Sequence, residues 1–298
     1  QLEFYQMTYR KVGVIGLGYV GLPLVNQLIK KKFDVVGYDI NSEKINEITK
    51  LKKFKKANLT SHYKDLKDRN FFIICVPTPI TIKNKPDLGP VKKSFNLISK
   101  ILKKGDIIVL ESTVYPGVTR NVLGAICDDM ELEIGVDLTL AYCPERIDPG
   151  TEMGVGNIAR VIGCDDPEIG QILAEMYGQT TSAQSIYVGK MEVAEASKMV
   201  ENLQRDIDIA MVNELSKVLP KFGIDVEDVL RAASTKWNFH RHTPGIGVGG
   251  HCIPVDPYFY ISLSQGVGSE TKLGLAARKM NESMPEKSFL MISQLLEK

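Results

Sequence analysis

Short apolar runs alternate with amphipathic segments along the first two thirds of the chain. The runs have the length of strands, and the segments between them repeat their apolar residues at helical spacing. Such alternation predicts a parallel sheet with helices packed on its faces. The predicted strands are Val12–Ile15, Val35–Tyr38, Phe71–Val76, Ile107–Leu110, Leu138–Tyr142, Arg160–Ile162 and Ser185–Val188.

The pattern changes near Gly189. One long helical pattern runs from Glu192 to Leu219, and further helical segments follow it. The last segment indicates a long helix that is interrupted or kinked at Pro285, because proline removes a helical hydrogen bond. We therefore predict an α/β domain over residues 1–189 and a helical domain over residues 190–298.

Composition and charge restrict the class of protein. Apolar residues make up 44% of the chain, and 37 lysines and arginines nearly balance 36 aspartates and glutamates, which argues against nucleic acid as the main partner. No apolar stretch approaches the roughly 20 residues of a membrane span, and no signal-peptide pattern is present, so we expect a cytoplasmic protein without a membrane partner. The five cysteines are scattered and include no CxxC pair, which indicates neither a disulfide framework nor a structural zinc site.

The strongest local motif is Gly16-x-Gly18-x-x-Gly21. Glycines in this pattern can simply tighten a turn, but here they follow an apolar strand, open an amphipathic helix and precede a second strand ending in Asp39. In that context the backbone approaches a pyrophosphate at a helix N-terminus, and the carboxylate binds the ribose hydroxyls. We predict a Rossmann-like fold that binds NAD rather than NADP, because Asp39 repels a 2′-phosphate.

Two other stretches carry candidate chemistry. The segment PGIGVGGHCIPVDPYFY, residues 244–260, places Cys252 in a glycine-rich loop with Asp256 four residues later. Lys198, Asn202 and Arg205 follow one another at i, i+4 and i+7 and share one helical face. Taken alone, the thiol is as consistent with an inert cysteine as with a reactive one. The helical face, taken alone, indicates a solvated stripe. Beside an NAD fold, a thiol that a lysine activates predicts a covalent step in an oxidation.

Six stretches together resemble the UDP-glucose/GDP-mannose dehydrogenase family, and most closely its UDP-N-acetylhexosamine 6-dehydrogenases. They are GVIGLGYVGLPL, CVPTP, ESTVYPG, CPERIDPG, EASKMVENLQRD and GVGGHCIPVDPY, and they occur in family order across nearly the whole chain. The resemblance implies a Rossmann-like doubly wound sheet followed by an all-helical middle domain through which a homodimer forms. It also implies twofold oxidation of the C6 hydroxymethyl group of a nucleotide sugar by two NAD+.

The resemblance implies a role for each catalytic candidate. Cys252 would attack the C6 aldehyde, and Lys198 would stabilise the oxyanion and assist proton transfer. Asn202 and Asp256 would position the substrate oxygen and a water. Glu145 would be the base for hydrolysis of the thioester.

The resemblance also implies contacts with cofactor and substrate. The expected cofactor contacts are Gly16, Gly18, Tyr19, Val20, Gly21, Asp39, Thr78 and Thr113, of which Thr113 also holds water or nicotinamide. The expected substrate contacts are Arg146, Ile147, Lys198, Asn202, Arg205, Lys236 and Gly249. Lys236 stands where relatives often carry arginine. UDP-GlcNAc and UDP-GalNAc are the favoured substrates, ahead of UDP-ManNAc, UDP-glucose and GDP-mannose.

Other interpretations remain open at this stage. His240, His242 and His251 near Cys252 raise a zinc-dependent alcohol dehydrogenase, but their spacing fits no familiar ligand set and we expect no metal. A two-electron dehydrogenase of the 6-phosphogluconate or β-hydroxyacid type would have no need of the cysteine. Relatives also carry a C-terminal UDP-binding domain that is apparently absent here, so we expect a truncated form that binds NAD and dimerises without turnover. A non-catalytic NAD-binding dimerisation fragment is therefore the third alternative.

Overall fold

A computed structural model of the chain describes residues 10–146, 157–250 and 252–297. Contacts divide it into two compact units. The first unit contains the described residues up to Pro79 and from Asp87 to Lys198. The second contains Ile80–Pro86 and the described residues from Met199 onward. No helix of the described residues is long and apolar enough to cross a membrane.

The first unit is built on an eight-stranded sheet with the order β3-β2-β1-β4-β5-β6-β7-β8. Its order reverses direction beside β1, which is where open α/β sheets bind ligands at the carboxyl ends of their strands. The strands are β1 (Lys11–Ile15), β2 (Asp34–Tyr38), β3 (Asn58–Thr60), β4 (Phe71–Ile74), β5 (Asp106–Leu110), β6 (Leu138–Tyr142), β7 (Arg160–Cys164) and β8 (Ser185–Tyr187).

Helices cover both faces of the sheet, as the alternating pattern predicts. One apolar cluster joins Val12 and Val14 of β1 to Leu24 and Leu28 of a helix, and a second joins Phe72 of β4 to helices on the opposite face. The doubly wound fold is thus confirmed. The helices of this unit are α1 (Gly21–Lys30), α2 (Ser42–Lys50), α3 (Gly89–Ile98), α4 (Gly124–Asp128) and α5 (Pro167–Gly178).

The sheet departs from the sequence prediction in two places. The edge strand β3 was not predicted, because three residues in a polar stretch show no measurable alternation. The pair β6–β7 is antiparallel, with Ala141 opposite Cys164, whereas all other neighbouring strands are parallel. A parallel connection needs a crossover of a dozen or more residues, usually a helix, and the proline- and glycine-containing sequence between these strands has no helical pattern.

The second unit is helical. Its longest helix, α6 (Met191–Val218), begins in the first unit and agrees closely with the predicted helix from Glu192 to Leu219. The predicted interruption near Pro285 is confirmed as a break at Ser283, after which Pro285 lies in the first turn, where its missing N–H costs nothing. The remaining helices are α7 (Val226–Ala233), α8 (Asp256–Gly266), α9 (Lys272–Glu282) and α10 (Met284–Leu296).

Candidate functional site

The predicted site residues fall into groups that we describe within their own units. The glycine turn, Asp39, Thr78, Thr113, Glu145, Arg146 and Lys198 belong to the first unit. Asn202, Arg205, Lys236, Gly249, Cys252 and Asp256 belong to the second. Ile147 and His251 lie outside the described residues.

The glycine turn lies between the end of β1 and the start of α1. Gly16 has a φ of 93°, and a Cβ on it would lie 2.8 Å from the carbonyl oxygen of Cys75. A Cβ on Gly21 would lie 1.9 Å from the carbonyl oxygen of Gly16. Packing therefore explains these two glycines. It does not explain Gly18, whose Cβ would meet no protein atom within 4 Å.

The N-terminus of α1 fits a pyrophosphate. It has no acidic residue in its first turn and no side-chain cap, so its backbone N–H groups and the positive end of the helix dipole are left for an anion. A side chain at Gly18 would fill the space that such an anion needs. Tyr19, next in the turn, is 83% exposed, and Val20 is partly buried. The residues present fit a bound dinucleotide.

Asp39 follows β2 and is held by three hydrogen bonds. Its Oδ2 accepts from the backbone N–H of Leu17 at 2.9 Å and from Nζ of Lys44 at 2.7 Å, and its Oδ1 accepts from the N–H of Asn41 at 3.0 Å. Burial opposes ionisation, but these bonds hold the pKa of Asp39 below its usual range. The side chain is therefore a carboxylate. Sequence reasoning missed Lys44, which stands five residues after Asp39 in α2.

Glu145 lies in a buried group of charges beyond the ends of β5 and β6. Its Oε2 is 2.9 Å from a terminal nitrogen of Arg160, which is also 3.5 Å from Oε2 of Glu111. The hydroxyl of Tyr177 donates to Oε1 of Glu111 at 2.7 Å. Oε1 of Glu145 accepts from the N–H of Arg146 at 2.7 Å. The orientation of the Glu145 carboxylate is thus fixed from both oxygens.

Burial and neighbouring charges act on Glu111 and Arg160 in this group. Burial, followed by the neighbouring Glu145, raises the pKa of Glu111 to about 7 against the attraction of Arg160. Burial opposes the charge of Arg160, but Glu111 and Glu145 raise its pKa, so it stays a cation. The sequence analysis had read Arg160 as part of an apolar strand. The one available signal was a charged residue opening a strand that is otherwise apolar.

Helix α6 carries two of the predicted catalytic residues on successive turns. Lys198 is 5% exposed and Asn202 is 4% exposed, so neither belongs to a solvated stripe. One turn earlier, Glu195 is fully buried and accepts hydrogen bonds from the N–H groups of Gly117 and Thr119, at 2.6 and 2.8 Å. Within the first unit, these bonds tie the first turns of α6 to the loop that follows β5, which also contains the half-buried Thr113.

In the second unit the structure brings Asn202, Cys252 and Asp256 together. The N–H of Asp256 donates to the carbonyl oxygen of Cys252 at 2.7 Å, at the start of α8. Nδ2 of Asn202 donates to Oδ2 of Asp256 at 2.5 Å. Cys252 is partly exposed, whereas Cys75, Cys127, Cys143 and Cys164 are all buried. The accessible thiol is therefore the one in the glycine-rich loop.

The remaining predicted site residues are described by their burial and their neighbours. Gly249, with Gly247, Pro254, Tyr258 and Arg278, lines a cleft of about 480 Å³ in the second unit. Arg205 is partly buried and Lys236 is exposed. In the first unit, Arg146 donates to the carbonyl oxygen of Ala159 at 3.1 Å, and Thr78 is partly buried. Among the described residues no group of three histidines, cysteines or carboxylates is arranged to hold a metal ion.

Comparison with known proteins yields two matches to one family. Residues 10–181 match the NAD binding domain of the UDP-glucose/GDP-mannose dehydrogenase family, and residues 192–283 match its central domain. Together with the geometry around Asp39, the first match confirms NAD as the cofactor.

Individual relatives agree. The chain is 41% identical over 301 residues to UDP-N-acetyl-D-glucosamine 6-dehydrogenase of Pseudomonas aeruginosa, which covers 96% of this chain and 70% of the relative. It is 33% identical over 308 residues to UDP-N-acetyl-D-mannosamine dehydrogenase of Pyrococcus horikoshii, covering 97% and 72%. A solved structure of UDP-D-ManNAc dehydrogenase from Pyrococcus horikoshii superposes with a TM-score of 0.89 at 32% identity, covering 96% of this chain and 71% of that one. With a doubly wound NAD-binding unit, a helical unit carrying Cys252 and these matches across its length, the chain belongs to the UDP-glucose/GDP-mannose dehydrogenase family.

Proposed function

We propose that the protein oxidises the C6 alcohol of a UDP-N-acetylhexosamine to the uronate in two NAD-dependent steps through a thioester on Cys252. The observation that carries this proposal is that Cys252, the one accessible thiol among the five, lies in a loop whose backbone is hydrogen-bonded to that of Asp256. A two-electron dehydrogenase would have no use for it. Identity of 41% to a UDP-N-acetyl-D-glucosamine 6-dehydrogenase supports the choice of substrate class.

The chain supplies the cofactor site through the glycine turn and Asp39. Bound NAD+ supplies a hydride acceptor for each of the two oxidations. The N-terminus of α1 binds the pyrophosphate, and the Asp39 carboxylate accepts hydrogen bonds from the ribose hydroxyls. The aldehyde from the first oxidation is the electrophile for the thiol.

The second oxidation passes through a covalent intermediate on Cys252, with NAD+ as the hydride acceptor. The Cys252 thiolate adds to the C6 aldehyde and forms a carbon–sulfur bond, giving a thiohemiacetal whose oxidation leaves a thioester. Lys198 stabilises the oxygen anion that develops on C6 and moves its proton. Asn202 and Asp256, joined at 2.5 Å, orient the C6 oxygen and a water.

Hydrolysis of the thioester requires a base. Glu145 takes a proton from the attacking water, the carbon–sulfur bond breaks, and Cys252 leaves as the thiolate. Arg160 and the N–H of Arg146 fix the orientation of Glu145 for this role. Thr113 holds the water or the nicotinamide.

The decisive experiment measures NADH release by the wild type and by Cys252→Ser with UDP-GlcNAc, UDP-GalNAc and UDP-ManNAc. We expect the wild type to release two NADH per sugar. Serine lacks a readily ionised thiol, so the variant should not complete the oxidation to the uronate. Two NADH per sugar from a folded Cys252→Ser variant would refute the covalent mechanism. The ranking of the three sugars identifies the substrate.

We also propose a homodimer that forms through the helical unit. Val200, Met211 and Val218 recur at spacings of 11 and 7 residues, which places them on one face of α6, and their exposed fractions are 54%, 44% and 44%. A second copy of the chain would cover this apolar stripe. Light scattering is expected to give the mass of a dimer for the wild type and of a monomer for Met211→Glu, and a monomeric wild type would contradict the proposal.

A further inference from the structure

A chain of buried polar side chains lies behind the Cys252 loop in the second unit. Asp206, Asn213 and Asn281 are at most 1% exposed, and Arg278 is 5% exposed. The residues come from α6 and α9, and the sequence analysis assigned a role to none of them. Their hydrogen bonds reach the loop at two separate points.

The first point is before Cys252. The N–H of Gly245 donates to Oδ1 of Asn213 at 2.9 Å, and Nδ2 of Asn213 donates to Oδ1 of Asn281 at 2.9 Å. Nδ2 of Asn281 in turn donates to Oδ1 of Asp206 at 2.7 Å. A continuous hydrogen-bonded path therefore connects the beginning of the loop to Asp206.

The second point is directly after Cys252. One terminal nitrogen of Arg278 donates both to Oδ1 of Asp206, at 2.7 Å, and to the carbonyl oxygen of Ile253, at 3.1 Å. The same aspartate oxygen is thus shared by the paths to both ends of the loop. Asp206 is the junction of the network.

The segment between the two points is rich in glycine. Gly247 and Gly250 have φ values of 145° and 88°, which side chains rarely adopt, and glycine has the largest conformational entropy to lose on ordering. The hydrogen bonds at Gly245 and Ile253 oppose that entropy and help to order the segment. Stability alone gives a weak reason for the buried Asp206–Arg278 pair, since a buried ion pair is often no better than apolar residues of the same volume.

We propose that Asp206, Asn213, Arg278 and Asn281 are positioning residues that fix the Cys252 loop at both ends and so set the location of the thiol. The inference rests on the proposed role of Cys252 as the nucleophile. None of the four touches the reacting atoms. Their effect is transmitted through the backbone at Gly245 and Ile253.

The test compares the variants Asn213→Ala and Ser216→Ala. Ser216 lies on the same helix and donates only to the backbone carbonyl of Asn213, so its variant is a matched control. Arg278→Met cuts the second point, and Arg278→Lys keeps the cation beside Asp206. The readouts are the alkylation rate of Cys252 by iodoacetamide, measured on the Cys252 peptide by mass spectrometry, and kcat and KM for each substrate.

Asn213→Ala and Arg278→Met should raise the alkylation rate about tenfold, the effect expected from losing one buried hydrogen bond that restrains the loop. They should lower kcat about 100-fold, as misplacement of a reacting group by roughly 1 Å does, and leave KM for NAD unchanged. The alkylation rate and kcat of Arg278→Lys should lie between those of Arg278→Met and the wild type. Those of Ser216→Ala should match the wild type. A purely structural role would lower the melting temperature without separating kcat from KM.

Wild-type alkylation and kcat in a folded Asn213→Ala variant would overturn the inference. If Arg278→Met does not fold, Asn213→Ala decides, because it removes no buried charge. If neither the wild type nor any variant oxidises a nucleotide sugar, the proposed function fails. The alkylation rates alone then test whether the four residues position the Cys252 loop. Equal rates for Asn213→Ala and Ser216→Ala then refute this positioning role.

Discussion

Asn202 donates a hydrogen bond of 2.5 Å to Asp256, which lies four residues after Cys252 and is 3% exposed. This bond fixes the Asn202 amide against Oδ2 of the Asp256 carboxylate. Such a pair fixes the orientation of both polar side chains at the start of α8, which directly follows the Cys252 loop. The pair therefore links α6 to the start of α8, next to the loop that carries the proposed nucleophile.

Removing the charge of Asp256 should slow turnover while leaving cofactor binding intact. For Asp256→Asn we expect kcat to fall about 100-fold, the lower end of what a positioned acid or base contributes, with KM for NAD unchanged. Steady-state NADH formation measures this. Asp208→Asn, on α6 but paired with His242, is the control and should behave as the wild type. Equal kcat for the two variants would remove Asp256 from the reaction.

Substitution of Gly18 should weaken NAD binding without loss of stability, whereas substitution of Gly21 should destabilise the fold. Gly18→Ala places a methyl group where no protein atom lies within 4 Å, so its melting temperature should stay at the wild-type value. The methyl group occupies space needed by the pyrophosphate, and NAD affinity should fall by at least tenfold, or about 1.4 kcal/mol. Calorimetric titration with NAD measures the affinity.

Gly21→Ala provides the contrast to Gly18→Ala. Its methyl group would lie 1.9 Å from the carbonyl oxygen of Gly16, so this variant should be destabilised whether or not NAD is present. Wild-type NAD affinity in Gly18→Ala would show that the pyrophosphate lies elsewhere.

Asp39 should set the preference for NAD over NADP. Its carboxylate accepts hydrogen bonds from ribose hydroxyls but repels a 2′-phosphate, so the wild type should bind NAD at least about tenfold more tightly, as loss of a charged hydrogen bond implies. Asp39→Asn should narrow that ratio. Asp34→Asn, at the opposite end of β2 and paired with Arg69, should not change it. Equal binding of both dinucleotides by the wild type would contradict the assignment.

Glu111 should make stability depend on pH. Its pKa is raised by burial from 4.5 to about 7, so the folded state favours the protonated carboxyl. The resulting stabilisation is fully present below pH 4.5 and is lost as the pH rises through about 7. Over that window the wild type should lose about 3 kcal/mol of unfolding free energy relative to Glu111→Gln, which does not titrate.

Urea unfolding of both proteins at pH 4.5, 6 and 8 measures the difference. Glu133→Gln, at an exposed position, is the control and should parallel the wild type across the range. Parallel curves for the wild type and Glu111→Gln would mean that Glu111 stays ionised beside Arg160.

The features that could be predicted from sequence are those that depend on local spacing. The strands around Val12 and Val35, the glycine turn and Asp39 all follow from periodicity and from a motif whose spacing matches a ligand. The partners of those residues could not be found in this way. Arg160 and Arg278 are charged residues that are buried by contacts with distant parts of the chain, and a sequence pattern assigns charge to the surface. The antiparallel β6–β7 pair likewise depends on a connection rather than on the strands themselves.

The hydrogen bond from Leu17 to Asp39 constrains any redesign of the coenzyme preference. The carboxylate proposed to bind the ribose hydroxyls also holds, through the N–H of Leu17, the turn in which Gly16 and Gly18 lie. Replacing Asp39 to admit a phosphate would therefore remove the hydrogen bond that holds that turn. It would also remove the carboxylate that pairs with the ammonium of Lys44. A conversion to NADP needs a second substitution that restores an acceptor for the Leu17 N–H. Coenzyme choice and the architecture of the turn are in this chain one trait and must change together.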